Sequence, residues 1–196
     1  IILAYNEGSR IGPSLENAFA DFASNTYDVK LLIDDDGSSD DTLEKVAAVC
    51  SAKLGEIPNV TCRAIPLGRN SGKGAAVRRG MLDAKGTVRV FTDADFSTPI
   101  REVEKVIPLI DSGQFQVVIG SRAAEGRRLV KKHQPWYREA MGRFFNLLVQ
   151  LLVFRGMRDT QCGFKGFSAE AADNLFSKQK LTGFTFDVEV LYLAKK

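Results

Sequence analysis

Apolar residues come in short runs along the first 120 positions, and each run ends in acids or glycine. Ile1 to Ala4, Val29 to Ile33, Val60 to Ile65, Val88 to Thr92 and Phe115 to Gly120 are strand-length runs rich in branched residues. Between them lie stretches with helical spacing: Leu15 to Ala23, Asp41 to Leu54, Gly74 to Asp83 and Ile100 to Ser112. Ser39 or Asp40 is placed to cap the second helix. Regular strand–helix alternation predicts an α/β fold, a mostly parallel sheet with helices on both faces. Ligands of such sheets gather at the carboxyl ends of the strands. Acids fall at those ends: Glu7 after the first strand, Asp35 and Asp36 after the second, Asp93 and Asp95 after the fourth.

The alternation stops after Arg122. Residues 126–133 are basic, and Pro135 to Phe154 is helical in pattern and unusually apolar, with Phe144 to Phe154 interrupted only by Asn146 and Gln150. The run falls short of the ~18 residues of a membrane-crossing helix. It reads either as a core helix or as an amphipathic helix lying in a membrane interface, its basic neighbours meeting anionic headgroups. Neither repeat nor low-complexity linker divides the chain. With 196 residues, 44% hydrophobic and 26% charged, it has the composition of one globular domain. A net charge of +3 and the absence of a basic run interleaved with aromatics give no reason to expect nucleic acid. Cys50, Cys62 and Cys162 lack metal-site spacing and predict reduced thiols in a cytosolic compartment. The apolar start at Ile1 and a last segment, Tyr192 to Lys196, that reads as mid-helix suggest a fragment cut at both ends. Oligomeric state has no signature here.

Asp93-Ala94-Asp95 is the sharpest chemical signal. Two carboxylates spaced i, i+2 on an extended segment share a side and can hold one hard divalent cation. A solvated turn is the plainer alternative for an isolated D-x-D. Arg69 to Gly74 opens a helix with glycines and a lysine, a setting that suits phosphate. It matches neither the Walker A pattern nor G-x-G-x-x-G. With the acidic loop at Asp34 to Asp41, these segments suggest a site for a metal-bound diphosphate. Asp159 to Lys165 gathers a carboxylate, an amide, a glycine and a cation in a loop, and Asp187 and Glu189 read as first-turn acids of a final helix. His133 is the sole histidine, and no nucleophile elbow accompanies it.

The motif order identifies a resemblance. Ala4-Tyr5-Asn6-Glu7, then Asp35-Asp36-Gly37-Ser38-Ser39-Asp40, then Asp93-Ala94-Asp95 resembles the family 2 inverting glycosyltransferases of the glycosyltransferase-A fold. Gly120-Ser121-Arg122, Gln134 to Arg138, Asp159-Thr160-Gln161-Cys162-Gly163-Phe164-Lys165 and Phe186-Asp187-Val188-Glu189 are similar to the dolichyl-phosphate β-glucosyltransferase group and its bacterial polyprenyl-phosphate relatives. Leu3, Asp34 and Gly166 depart from that pattern, and Asp34 is expected to loosen the end of the second strand.

The resemblance implies a single catalytic domain, with residues 1–122 binding a nucleotide sugar and residues 123–196 binding the acceptor. It implies that Ala4, Tyr5, Glu7, Asp36, Ser38, Arg69, Lys73, Asp93, Ala94 and Lys165 contact the nucleotide sugar, and that Asp95 holds Mg²⁺ or Mn²⁺. Arg122 and Arg138 would grip the acceptor phosphate, with Asp93, Asp159 and Gln161 nearest the chemistry. The implied reaction moves a hexose, glucose from UDP-glucose, onto a polyprenyl or dolichyl phosphate with inversion, at a membrane surface and facing the cytoplasm. A GDP-mannose-dependent mannosyl transfer and a non-catalytic, membrane-docked nucleotide-sugar module are the alternatives.

Overall fold

A computed structural model describes residues 1–121 and 160–196. Its strands are β1 (Ile2–Ala4), β2 (Val29–Asp35), β3 (Val60–Pro66), β4 (Val88–Asp93), β5 (Val117–Ile119) and β6 (Lys165–Ser168). Its helices are α1 (Ile11–Phe22), α2 (Thr42–Lys53), α3 (Lys73–Asp83), α4 (Val103–Asp111), α5 (Ala169–Lys178) and α6 (Phe186–Lys195), with a 3₁₀ turn at Ile100–Glu102 before α4. The six strands lie in the order β3-β2-β1-β4-β6-β5. β3, β2, β1 and β4 are parallel, while β6 runs antiparallel to both β4 and β5.

β6 departs from the sequence expectation. The Asp159 to Lys165 segment reads as a loop between helices, but Lys165 opens a strand that pairs with Phe91 on one side and Ile119 on the other. Because β6 is antiparallel, its beginning sits beside the carboxyl end of β4. The loop before β6 is thereby delivered to the same edge of the sheet as Asp93.

Side-chain alternation divides the core into two layers. Ile2 and Ala4 of β1 face α1, α2 and α4, where Ile11, Leu15, Phe19, Val46, Val103 and Val106 are buried with them. Leu3 faces α3, α5 and α6, among Val77, Met81, Phe91, Phe167, Phe176 and Phe186. On that second face Phe91 stacks on Phe167 at 6.1 Å, and Phe176 meets Phe167 edge-on at 5.1 Å. Each such pair contributes roughly 1 kcal/mol beyond its buried area. Ser168 ends β6 and caps α5, its side chain accepting from the Ala171 amide at 3.1 Å.

Two expectations are corrected here. Asp34 does not loosen β2; the strand runs on through Asp35, with Asp34 paired to Leu3 and Ile65. Cys50 of α2 and Cys62 of β3 are joined in a disulfide, with Cα atoms 5.4 Å apart, and Cys162 is the free, buried cysteine. The bond closes a loop of sequence separation 12, which stabilises the folded state by about 3 kcal/mol in the loop-entropy account. Cys62→Ser is expected to lower the unfolding free energy by that order in denaturant titration, with no change in a reductant-treated control. Alkylation of unfolded, unreduced protein should label Cys162 alone; three labelled thiols would remove the bond from the native protein.

No helix among the described residues is long and apolar enough to cross a membrane. The apolar stretch Pro135 to Phe154 lies outside the described residues, as do Arg122, Arg138 and Asp159.

Candidate active site

Five chain segments meet at the carboxyl edge of the sheet, tied to one another by side-chain hydrogen bonds, an ion pair and close backbone packing. Asn6, after β1, donates its amide to Ser38 Oγ at 2.9 Å and accepts from the Ser39 amide at 2.9 Å. The Ser38 hydroxyl also bonds Asp35. Gly37, after β2, has φ of 76°, and a Cβ there would lie 2.4 Å from the Arg69 carbonyl carbon. Only glycine permits that backbone with so close an approach. Asp36 accepts from the amides of Ser71 at 2.7 Å and Gly72 at 2.9 Å.

These contacts give several residues that the resemblance places on the nucleotide a structural part as well. Asp36 is buried and commits one oxygen to each of two backbone amides, so it shapes the loop before α3. Ser38 ties two loops together. Glu7 pairs with Arg10, and its amide donates to Thr42 Oγ1 at 2.8 Å. Ala4 is buried in the core. Tyr5, 46% exposed at the end of β1, and the exposed Arg69 stand at the surface of this edge.

The start of α3 also differs from the anion site its glycines suggest. Its Gly74 and Ala75 amides donate to the Thr182 carbonyl at 2.7 and 3.2 Å. Those donors are already taken, and the positive contribution of this helix end comes from the Lys73 side chain. Lys73 Nζ reaches Asp93 Oδ1 at 2.7 Å. Both groups are partly exposed, so the pair belongs to the accessible site.

Asp93 is held from its other side by the loop before β6. A Cβ on Gly163 would lie 2.0 Å from Asp93 Oδ2, so the bare α-carbon of Gly163 rests against the carboxylate. Gln161 precedes it by two residues and is partly buried. Ala94 is buried, its amide donating to the Leu3 carbonyl at 3.2 Å, which anchors the turn to β1. Asp95 Oδ1 accepts from the Ser97 amide at 3.0 Å and the Ser97 hydroxyl at 2.8 Å. These bonds fix its carboxylate direction.

No cluster of three or more His, Cys, Asp or Glu side chains forms a metal cage among the described residues. A single oriented carboxylate two residues beyond Asp93 fits a hard cation whose remaining ligands are diphosphate oxygens and water. Asp95 is the residue that would hold it.

Lys165 is not a phosphate contact. It is 1% exposed, and its ammonium donates to Asp187 Oδ1 and to the Cys162 carbonyl, each at 2.6 Å. It also lies 5.4 Å from the centroid of the Phe91 ring. Asp187 is a first-turn acid of α6, as its sequence position predicts, and is 4% exposed. Burial pushes its carboxyl up from the usual range, and the Lys165 ammonium opposes that shift. Sequence reasoning missed this pair. Its signal was a lysine heading the run Lys165-Gly166-Phe167, whose charge requires a buried partner.

Solved structures identify the architecture. It is the fold of *Mycobacterium tuberculosis* glucosyl-3-phosphoglycerate synthase, solved with Mn²⁺, UDP-glucose and phosphoglyceric acid, at 20% identity and TM-score 0.65 over 97% of this chain and 61% of that one. *Pyrobaculum calidifontis* mannosyltransferase PcManGT, solved with GDP-Man and Mn²⁺, gives TM-score 0.56 at 19% identity over 89% of this chain and 45% of that one. The family model described as Glycosyl transferase family 2 matches residues 1–176, and the chain belongs to that family. Along its whole length it is 32% identical to dolichyl-phosphate β-glucosyltransferase of *Dictyostelium discoideum* and 33% identical to the human protein of that name. It spans 61% and 62% of the length of those two relatives.

Proposed function

We propose that this chain is the catalytic domain of an enzyme that transfers glucose from UDP-glucose to a dolichyl or polyprenyl phosphate, with inversion. The observation that carries the reading is the match to dolichyl-phosphate β-glucosyltransferases across 100% of the chain. Support comes from the Lys73–Asp93 pair and Asp95 at the carboxyl edge of a parallel sheet, where ligands of such folds bind. Structures of the same fold hold UDP-glucose with Mn²⁺.

Lys73 supplies positive charge at the edge where a donor diphosphate would lie. Asp93, held between Lys73 and Gly163, orients the donor's sugar or ribose hydroxyls, and Tyr5 offers an aromatic face to the base. Gln161 reaches the sugar from the loop before β6. Asp95 would hold a divalent cation, which would supply positive charge against the leaving diphosphate. The acceptor phosphate monoester is largely dianionic at neutral pH, with a second pKa near ~6, and is itself the nucleophile. Arg122, Arg138 and Asp159 complete the acceptor side in this proposal. We place the enzyme at a membrane surface with its site facing the cytoplasm. The acceptor's lipid tail supports the first part, while the Cys50–Cys62 bond weighs against a reducing compartment, and the alkylation experiment decides that point.

The full-length protein incubated with UDP-glucose, Mg²⁺ or Mn²⁺ and dolichyl phosphate in vesicles should yield a lipid-linked glucose. Product from GDP-mannose alone would change the sugar assignment. No lipid product from any nucleotide sugar, with UDP still bound, would leave a non-catalytic binding module. Asp95→Ala is expected to weaken Mn²⁺-dependent UDP-glucose binding by on the order of a hundredfold, since such a metal contributes several kcal/mol. Titration calorimetry with and without Mn²⁺ checks this; equal losses in both would take Asp95 off the metal.

A further inference from the structure

Two acids of α6 hold opposite sides of the site. Asp187 and Glu189 are two residues apart, about 200° around the helix, so they reach different neighbours. Asp187 Oδ1 accepts from Lys165 Nζ at 2.6 Å, and the same ammonium donates to the Cys162 carbonyl at 2.6 Å. This anchors the residue next to Gly163, whose α-carbon abuts the Asp93 carboxylate. Glu189 accepts from the Lys180 amide at 3.0 Å and the Leu181 amide at 2.8 Å. The next carbonyl, that of Thr182, takes the Gly74 and Ala75 amides at the start of α3. From that same turn Lys73 reaches Asp93 at 2.7 Å. Gln179 Nε2 braces the strap by donating to the carbonyls of Gly74 and Leu181, at 2.8 and 2.7 Å. The contacts close a ring, with α6 at one end and the Asp93–Lys73 pair at the other.

We infer that Asp187 and Glu189 are positioning residues for the Asp93–Lys73 pair. Asp187 acts through Lys165 and the backbone at Cys162 and Gly163. Glu189 acts through the backbone from Lys180 to Thr182. Neither contacts the reacting atoms. Together they set how far the loop before β6 stands from the first turn of α3, and hence where the Asp93 carboxylate points. The consequence for transfer rests on the proposed function; the ring itself does not.

Asp187→Asn leaves Lys165 buried without its counter-charge and can unfold the domain. The double variant Lys165→Met/Asp187→Leu removes both charges at similar volume and tests the inference in a folded protein. Backbone hydrogen exchange should rise at residues 161–164 and 72–76 in that variant, with the β1 and α5 segments unchanged. Its kcat for transfer should fall about a hundredfold, the scale of an ångström-level misplacement, while KM for UDP-glucose changes little. Glu189→Ala should raise exchange at 72–76, and Glu189→Gln, which keeps an acceptor, should restore much of it. A folded double variant with wild-type exchange in both segments and wild-type kcat overturns the inference. So does a uniform rise in exchange with a lower Tm and unchanged kcat, which is the signature of a purely structural pair. If the wild-type protein transfers no sugar at all, the proposed function falls, while the exchange arm still decides whether α6 positions the two segments.

Discussion

Gly163→Ala is expected to reduce the proposed glucosyl transfer by about a hundredfold, the loss expected when a catalytic group is displaced by about an ångström. The added methyl would sit 2.0 Å from Asp93 Oδ2 and 2.7 Å from its Cγ. Nothing in a folded protein tolerates those distances, so one of two things moves. Either the Asp93 carboxylate swings away from Lys73, breaking the 2.7 Å pair, or the loop before β6 lifts off the sheet edge. Both misplace Asp93 relative to a donor bound beside it. The Asp93 carboxylate is partly open to solvent, so its swing empties no core and leaves Tm near that of the wild type, whereas lifting the loop would uncover Cys162 and Phe164 and lower Tm. Steady-state kinetics and a thermal melt check the two halves of this expectation. Asp93→Asn is the companion. It keeps the volume and loses the charge, so it should lower kcat/KM by roughly 10²–10³, the range for removing one preorganised polar group. Wild-type kcat/KM in Gly163→Ala would mean that the contact between Gly163 and Asp93 has no part in the working site.

Asp34→Val should stabilise the domain by as much as about 4 kcal/mol above neutral pH. Asp34 is fully buried in β2, and neither side-chain oxygen has a hydrogen-bond partner among the described residues. Burial raises its pKa to about 7 from 3.8, with the Arg79 guanidinium opposing. The folded state therefore binds a proton that the unfolded chain has released over the interval from pH 4 to 7. Stability contributed at this position is greatest below pH 4 and is lost as pH rises through about 7. A shift of that size corresponds to about 4 kcal/mol at 1.36 kcal/mol per unit. Valine has no charge to bury and suits a strand flanked by Leu32, Ile65 and Ala84. Denaturant titrations at pH 5 and pH 8 are the measurement. The gain should be large at pH 8 and much smaller at pH 5, and at pH 8 it should raise Tm by about 10 °C. A pH-independent gain would place the cost in the missing hydrogen bonds alone.

The linear order of motifs was legible because strand-length apolar runs and helical spacing are local properties. β1 to β4 and α1 to α3 begin and end within a few residues of where the pattern sets them. α1 begins at Ile11, four residues before its expected start, since Gly12 and Pro13 interrupt the apolar signal without stopping the helix. β6 was not legible. Lys165-Gly166-Phe167 carries a charge and a glycine, both poor strand residues, and is a strand only because β4 and β5 leave a gap that it fills. The strand-end position of Asp93 and Asp95 was legible because their spacing after an apolar run is visible in sequence.

Residue types and their order determined the α/β class, the family and which acids lie at the carboxyl edge of the sheet, because periodicity and motif spacing survive in one dimension. Tertiary structure alone decided which partners the polar groups meet. Asp36, Ser38 and Glu7 are committed to neighbouring loops or to Arg10, and Lys165 to Asp187. A side chain's partner depends on which distant segment folds against it. The 22 residues that separate Lys165 from Asp187, and the 70 that separate Asp93 from Gly163, vanish only when β6 enters the sheet and α6 packs beneath it.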